Sequence, residues 1–406
     1  MAAPVKKKPT TKATKPAAKP TVKTASAMVK KQVNNSDQLD MLKMIAGDIK
    51  GNMTFEEKEE IKFIPANLLS YNRASVFGGY PTGGIYELHG PNGGGKTALG
   101  IEILSSAQKA GHLTVMYDHE RAANDKSWIE NLGLDLKNCL YRNKALDGKS
   151  IMTLEESAQE INDMIINFNE KKQKKLIPQH VLLYILFDSV ASAVPKAKLE
   201  KGAKVGDANY GLTARLMSDW LQTLNALVGG SDVAVIFINQ ERVNVGAKPW
   251  EQKFKSFGGE ALQFYASVRI RVNYSGATKE KVNSVEIQVG KEHKFKLEKN
   301  KLGYPMQEGY FYTSNGLGEC NIGFDDVRAT ITEAILQNLI TKEGTRFNCE
   351  FFDEINGEKK LRAYLRNNPD TLEKIKEKGY NQIVEGKINM TDTKSGDDDI
   401  TSDDEE

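Results

Sequence analysis

"GPNGGGKTALG" (residues 90–100) stands between an apolar run, "GIYELHG" (84–90), and a stretch with helical apolar spacing. It reads G-x-x-x-x-G-K-T, with Gly90, Gly95, Lys96 and Thr97 at the fixed positions. Three consecutive glycines build no core. They free successive backbone N–H groups to turn inward around a phosphate chain. The helix that follows adds partial positive charge at its N-terminus. In that arrangement Lys96 reaches the β- and γ-phosphates of a nucleotide, and the Thr97 hydroxyl ligates Mg²⁺. The alternative is a glycine-rich turn with an incidental lysine, which leaves the order strand, motif, helix unexplained.

Outward from this motif, apolar runs alternate with helical patterns. "LTVMYD" (113–118), "CLYR" (139–142), "VLLYILFD" (181–188) and "VAVIFINQ" (233–240) read as strands, and 153–168 and 211–229 as helices between them. This predicts an α/β fold with a mostly parallel sheet covered by helices on both faces. After residue 264 the texture changes. "SVRIRVNY", "SVEIQVG" and "HKFKLEKN" alternate with period two and predict antiparallel strands. Residues 324–385 read as a smaller, mainly helical unit with a hairpin around "FFDEINGEKK".

Three strand ends carry polar groups that suit phosphate chemistry. Asp188 closes "VLLYILFD", where a carboxylate beside the cradle holds Mg²⁺ through water. Asp118 and Glu120 close "VMYDHE"; Glu120 is the candidate general base, unless these acids merely cap the next helix. Asn239 and Gln240 close "FINQ"; an amide there either senses the γ-phosphate or caps a turn. Trp128 either stacks on a base or joins the core. Two segments, 198–211 and 241–259, show no periodicity but carry glycine and basic residues. The second mixes Arg242, Lys248, Lys253 and Lys255 with Trp250, Phe254 and Phe257, which suits phosphate neutralisation and base stacking. A surface loop with a dimer contact is the plainer reading.

The chain has 406 residues, 27% charged and 39% hydrophobic, with a formal net charge of +2. That near-neutral sum hides two opposite ends. Residues 1–33 are rich in Lys, Ala, Pro and Thr, and 386–406 end in an acidic run, so both read as disordered charged tails. Between the first tail and the core, 36–51 reads as a short amphipathic helix. The expected organisation is a basic tail (1–33), an N-terminal oligomerisation helix and linker (34–60), an ATPase core (61–322), a small C-terminal domain (323–385) and an acidic tail (386–406). Cys139, Cys320 and Cys349 lie far apart, which argues against a zinc or C-x-x-C site. No apolar run reaches the roughly 18 residues of a membrane helix, and no secretory h-region is present.

Several pieces together resemble the bacterial RecA recombinase family: "GPNGGGKT", "DSVASAVPKAKLE", "GDANYGLTARLMS", "VIFINQERVNVG", "GGEALQFYASVRI" and "KNKLGYP", in the family's order. The resemblance implies a RecA-type P-loop ATPase core, a small C-terminal α/β domain that binds duplex DNA, and the use of ATP and Mg²⁺. It implies recombination and repair in the DNA-damage (SOS) response, in the cytoplasm. The partners would be single-stranded DNA, double-stranded DNA, further copies of the chain in a helical filament, and single-stranded-DNA-binding and mediator proteins. Residue by residue, Glu120 matches the catalytic glutamate, Gln240 the γ-phosphate sensor, and Lys96, Thr97 and Asp188 the phosphate and Mg²⁺ residues. Pro91, Asn92, Gly93, Gly94, Ala98, Asp125 and Trp128 fall among its nucleotide contacts. Segments 198–211 and 241–259 match its two DNA-binding loops, with Arg215, Arg242, Gly258 and Gly259 at or beside contacting positions. Lys299 and Lys301 match lysines that reach a neighbouring subunit's ATP, and Phe264 an interface residue.

There are departures. "DHE" replaces the usual "DAE", Trp128 stands for a tyrosine, and Asn244 for a basic residue. The lysine-rich insert "NEKKQKKLIPQ" (169–179) and the basic extension are not family features. They mark a divergent member, of cellular or phage origin. A helicase-type motor on the same core, or a paralogue that binds ATP without catalysis, are the competing functions.

Overall fold

Along Val233–Ile238 every residue is apolar, and alternate side chains enter two different cores. Val233, Val235 and Phe237 join one cluster; Ala234, Ile236 and Ile238 join the other. A strand's side chains alternate faces, so an unbroken apolar strand requires cover on both sides. The computed structural model describes residues 61–76, 78–120, 126–145, 148, 150–200, 211–243, 254–282, 284–301 and 303–386, without the side chains of 242, 243, 254–256 and 282. They belong to one compact unit, Glu60–Glu406. The expected tails, the helix at 36–51, Asp125, Lys248, Trp250 and Lys253 lie outside the described residues.

The strands in chain order are β1 (Phe63–Ile64), β2 (Tyr80–Pro81), β3 (Gly84–Gly90), β4 (Leu113–Asp118), β5 (Cys139–Arg142), β6 (Leu183–Asp188), β7 (Val233–Val243), β8 (Phe254–Ser256), β9 (Val268–Val282), β10 (Val285–Asn300), β11 (Glu308–Ser314), β12 (Gly323–Phe324), β13 (Thr341–Glu343), β14 (Arg346–Cys349) and β15 (Phe352–Asn356). The helices are α1 (Leu69–Ser75), α2 (Lys96–Lys109), α3 (Lys126–Asn131), α4 (Leu154–Gln173), α5 (Leu212–Val228), α6 (Ala261–Tyr265), α7 (Asp326–Leu336), α8 (Glu358–Asn367) and α9 (Pro369–Val384). The main sheet runs β12-β11-β10-β9-β3-β7-β6-β4-β5, with β8 paired to β7. From β9 to β5 neighbouring strands are parallel. From β9 to β12 they are antiparallel. Strand β9 therefore joins the halves: it pairs in parallel with β3 as well as antiparallel with β10, which its period-two texture alone does not reveal.

Helix α2 packs on one face and α4 and α5 on the other. Helix α4 is longer than the expected 153–168 and runs into the lysine-rich insert. Lys172 of that insert is internal, bonding to Asp232 and, at 2.9 and 2.8 Å, to the carbonyls of Gln179 and Val181. A third cluster, including Val327, Ile331, Phe347, Leu361 and Ile375, gathers α7, α8, α9 and the sheet β13-β14-β15. There the expected hairpin around 351–360 is shifted toward the N-terminus: Phe352–Asn356 pairs antiparallel with β14 through a turn at 350–351, and Gly357, at φ 98, turns the chain into α8.

The parallel strands place their carboxyl ends together. Strand β3 is followed in sequence by β4, yet β7 and β6 lie between them. Such a crossover opens a crevice beyond the strand ends.

Candidate functional site

Gly90, the last residue of β3, sits with its Cα so close to β9 that a Cβ would lie 2.1 Å from the Val272 carbonyl. Only glycine fits there, so the loop leaves the sheet as bare backbone. Five residues on, Gly95 adopts φ 101, and an added Cβ would meet His293 Nδ1 at 2.6 Å. That ring cannot withdraw. It stacks on Phe311 at 4.7 Å, its Nδ1–H donates to the Gly94 carbonyl at 2.8 Å, and Nε2 accepts from the Thr313 hydroxyl at 2.9 Å. Burial holds its pKa below the ordinary imidazole value, in keeping with a neutral tautomer. Replacing Gly95 with Ala is expected to weaken nucleotide binding tenfold or more, since a positive φ alone costs a non-glycine residue about 1–3 kcal/mol. A fluorescent-nucleotide titration checks this.

The loop encloses a cleft of about 560 Å³. Asn92, Gly93, Gly95, Lys96, Thr97, Ala98, Glu120, Trp128 and Gln240 all line it. Residues from the cradle, the end of β4, helix α3 and strand β7 thus meet in one place. Lys96 is 8% exposed, and its Nζ donates to the carbonyls of Gly90 at 3.1 Å and Pro91 at 2.8 Å. Burial lowers its pKa, opposed by Glu120, Asp188 and Glu241. Trp128 is half-buried: it packs against the core below α2 and also lines the cleft, so both readings of it hold in part.

Asp188 has the chemistry to hold a cation. The Thr97 hydroxyl donates to its Oδ2 at 2.9 Å, while its buried Oδ1 has no hydrogen-bond partner. Burial, with Glu120 and Asp118 nearby, pushes its pKa up to about 7. A buried carboxylate with one vacant oxygen beside a hydroxyl, short of positive charge, fits hydrated Mg²⁺. The Asp188 carbonyl also organises the next strand end: the N–H groups of His119 and Glu120 donate to it at 2.6 and 3.2 Å. His119, the departure from "DAE", turns away from the cleft to Ser157 Oγ at 2.8 Å and packs on Phe187. Asp118, expected near the phosphates, is buried and receives the Tyr141 hydroxyl at 2.7 Å, and it does not line the cleft.

The chain belongs to the RecA family. A family model described as the RecA N-terminal domain matches residues 47–318. Protein RecA of Thermus aquaticus is 34% identical over 321 residues, which is 79% of this chain and 85% of that protein. Protein RecA of a Nitratiruptor species is 32% identical over 317 residues, 78% of this chain and 83% of that protein. Family membership and the mixed sheet agree on a RecA-type core.

Other positions matched to RecA family roles lie apart from the cleft. Segment 241–259 is not wholly irregular: β7 continues past Gln240 to Val243 and pairs with β8, Arg242 opposite Lys255. Gln240 and the entry to this segment therefore share one strand. Gly258 and Gly259, at φ 83 and 89, pack beside Val190 and Ala214. Arg215, exposed in the first turn of α5, neighbours them through Ala214. The end of segment 241–259 thus packs on the first turn of α5, which follows segment 198–211. Lys299 and Lys301 do not line the cleft. Lys299 Nζ donates to the carbonyls of Gln263 and Phe264 at 2.8 Å each, capping α6, while Lys301 is exposed beyond β10. Phe264 is 72% exposed.

Sequence reasoning missed the far wall. Gln288, Lys291, His293, Thr313 and Asn315 line the cleft from β10 and the end of β11. The available signal was weak: His293 falls on the inward side of the alternation with Phe295 and Leu297, among apolar partners.

Proposed function

We propose that this chain is a DNA-dependent ATPase of homologous recombination and repair, assembling as a helical filament on single-stranded DNA and exchanging strands with a homologous duplex. The observation that carries this reading is the cleft itself. Phosphate cradle, Thr97–Asp188 pair, Glu120 and Gln240 converge there, and the strand bearing Gln240 runs on into the candidate DNA segment.

In this reading Lys96 leaves the carbonyls of Gly90 and Pro91 for the nucleotide phosphates, and the loop N–H groups 93–97 point at the same charge. Thr97 and Asp188 hold Mg²⁺, which when bound offsets phosphate charge. Glu120 accepts the proton of the attacking water. Gln240 donates to the γ-phosphate; when that group leaves, β7 loses a contact two residues before Arg242, about 7 Å at strand rise. DNA binding by Arg215, Arg242, Lys248, Trp250, Lys253, Lys255, Gly258 and Gly259 is thereby tied to nucleotide state. Mediator and single-stranded-DNA-binding proteins belong to the same reading.

The test measures ATP hydrolysis with and without single-stranded DNA and images the full chain with a non-hydrolysable analogue. DNA-stimulated turnover and helical filaments are expected. Closed rings would favour a helicase-type motor, and binding without turnover a non-catalytic paralogue.

Assembly has its own check. If Lys299 and Lys301 complete a neighbour's site, Lys299→Ala mixed with Glu120→Gln regains activity that neither has alone. Head-to-tail packing gives about one competent junction in four for a random equal mixture. Activity that never exceeds the sum of the separate proteins would reject the shared site. Thermal unfolding of Lys299→Ala reports the loss of the α6 cap separately.

A further inference from the structure

His89, the residue before the cradle, sits where four strands exchange buried charge. Its side chain is 4% exposed and that of Glu241 is 5% exposed. Nδ1 hydrogen-bonds Glu241 Oε1 at 2.8 Å, and Nε2 comes within 3.1 Å of Glu298 Oε2, close enough for charge attraction but outside hydrogen-bond alignment. Glu241 also accepts from Arg271 at 3.0 and 3.1 Å. Arg269 joins Glu298, at 3.6 Å, to Glu87, at 2.5 Å. Glu87 in turn accepts from Asn239 at 2.9 Å. The elements packed here are β3 (Glu87, His89), β7 (Asn239, Glu241), β9 (Arg269, Arg271) and β10 (Glu298), with Lys96 close enough to Glu241, and Lys299 to Glu87, to interact through charge.

Among these described residues, Glu87, Glu241 and Glu298 share two arginines, Arg269 and Arg271, and a proton on His89 adds a third positive charge in direct reach of Glu241 and Glu298. The ring chemistry agrees. Both nitrogens face carboxylates, and a neutral imidazole has one N–H. It would set a lone pair against Glu241 or Glu298.

We propose that protonated His89 is a positioning residue: it holds Glu241, and so fixes β7 where Gln240 enters the cleft and where the strand continues toward β8. Loss of the proton loosens that link. The inference rests on the proposed role of Gln240. Position supports it: Gly90, at the start of the cradle, pairs with Gln240 across the same two strands that His89 and Glu241 clamp. Asn239 reinforces the joint, donating to the Phe257 carbonyl at 3.0 Å on the returning side of the segment. Burial opposes the charged ring, but Glu241, Glu298 and Glu87 outweigh burial and Arg269, raising the His89 pKa above the ordinary imidazole value. A raised folded-state value means that the stabilisation is complete below about pH 6.5 and is lost as pH rises through the folded value.

Hydrogen exchange of residues 238–243 in the full chain, with a non-hydrolysable ATP analogue, tests this at pH 6 and pH 8.5. Wild type is compared with His89→Gln at each pH, which removes the intrinsic pH effect on exchange. Relative to the variant, wild-type protection should be severalfold greater at pH 6 and lose that excess at pH 8.5, the direction that a raised His89 pKa implies. Nitrogen NMR of the His89 ring should show both nitrogens protonated at pH 6.5. A ring neutral at that pH, or equal pH dependence in both proteins, would overturn the proposal. If His89→Gln fails to fold, Glu298→Gln serves: losing one carboxylate should move the transition to lower pH, and an unmoved transition counts against the clamp. Neither readout requires turnover. An inactive wild type would remove the ATPase reading alone, and a pH-indifferent β7 in an active protein would remove the clamp alone.

Discussion

Glu120→Gln protein is expected to bind ATP and to hydrolyse it about two or more orders of magnitude more slowly, the usual cost of losing a general base. The backbone explains why the change should be so selective. Glu120 is placed by its own N–H on the Asp188 carbonyl at 3.2 Å, not by its side chain. Glutamine keeps the shape and that backbone bond, and it loses only the ability to take a proton. The side chain lines the cleft with Lys96, Thr97 and Gln240, so it stands on the phosphate side. Single-turnover hydrolysis together with a nucleotide titration separates chemistry from binding. Turnover within about threefold of wild type would take Glu120 out of the role.

Lys96→Ala should cost about 10²–10³ in turnover and weaken nucleotide binding as well, because the lost charge meets phosphate in both ground and transition state. The fold should survive. Among the described residues, Lys96 hydrogen-bonds to the Gly90 and Pro91 carbonyls, and water entering from the cleft can replace it there. A melting temperature within a few degrees of wild type beside a collapsed affinity is the expected pair of results. Unchanged affinity would show that the backbone N–H groups alone hold the phosphates, and that the lysine is dispensable.

Much of the fold was legible because it rests on local patterns. Unbroken apolar runs such as Leu183–Phe187 and Val233–Ile238 announce strands covered on both faces. The glycine spacing announces a loop that must leave the sheet without side chains. Glu120, Asp188 and Gln240 were readable because each stands at the carboxyl end of such a run, where the parallel strands converge. The far wall was not legible. Gln288, His293 and Thr313 lie on antiparallel strands whose alternation looks the same whether the inward residue packs a core or faces a ligand. The His89 cluster was hidden for a related reason. Its members come from four strands, and no spacing in one strand shows that Glu87, Glu241 and Glu298 share a seam with two arginines. Asp118 misled in the opposite sense: its position at a strand end suggested phosphate, but the strand's alternation turns it under Tyr141.

The bond between His293 and Gly94 joins residues 199 positions apart. During synthesis the whole glycine motif emerges long before its brace. A growing chain that stops short of residue 285 would carry Gly90 to Thr97 intact, yet lack both the ring that fills the space beside Gly95 and the strand that supports it. Contacts of such large sequence separation form late, because the intervening chain must first lose its freedom. In the ATPase reading, the ability to hold nucleotide is therefore acquired only once β10 has paired with β9. Until then the backbone edge of β9 that pairs with β10 is an open template, and the unfinished protein is most exposed to misassociation during that interval.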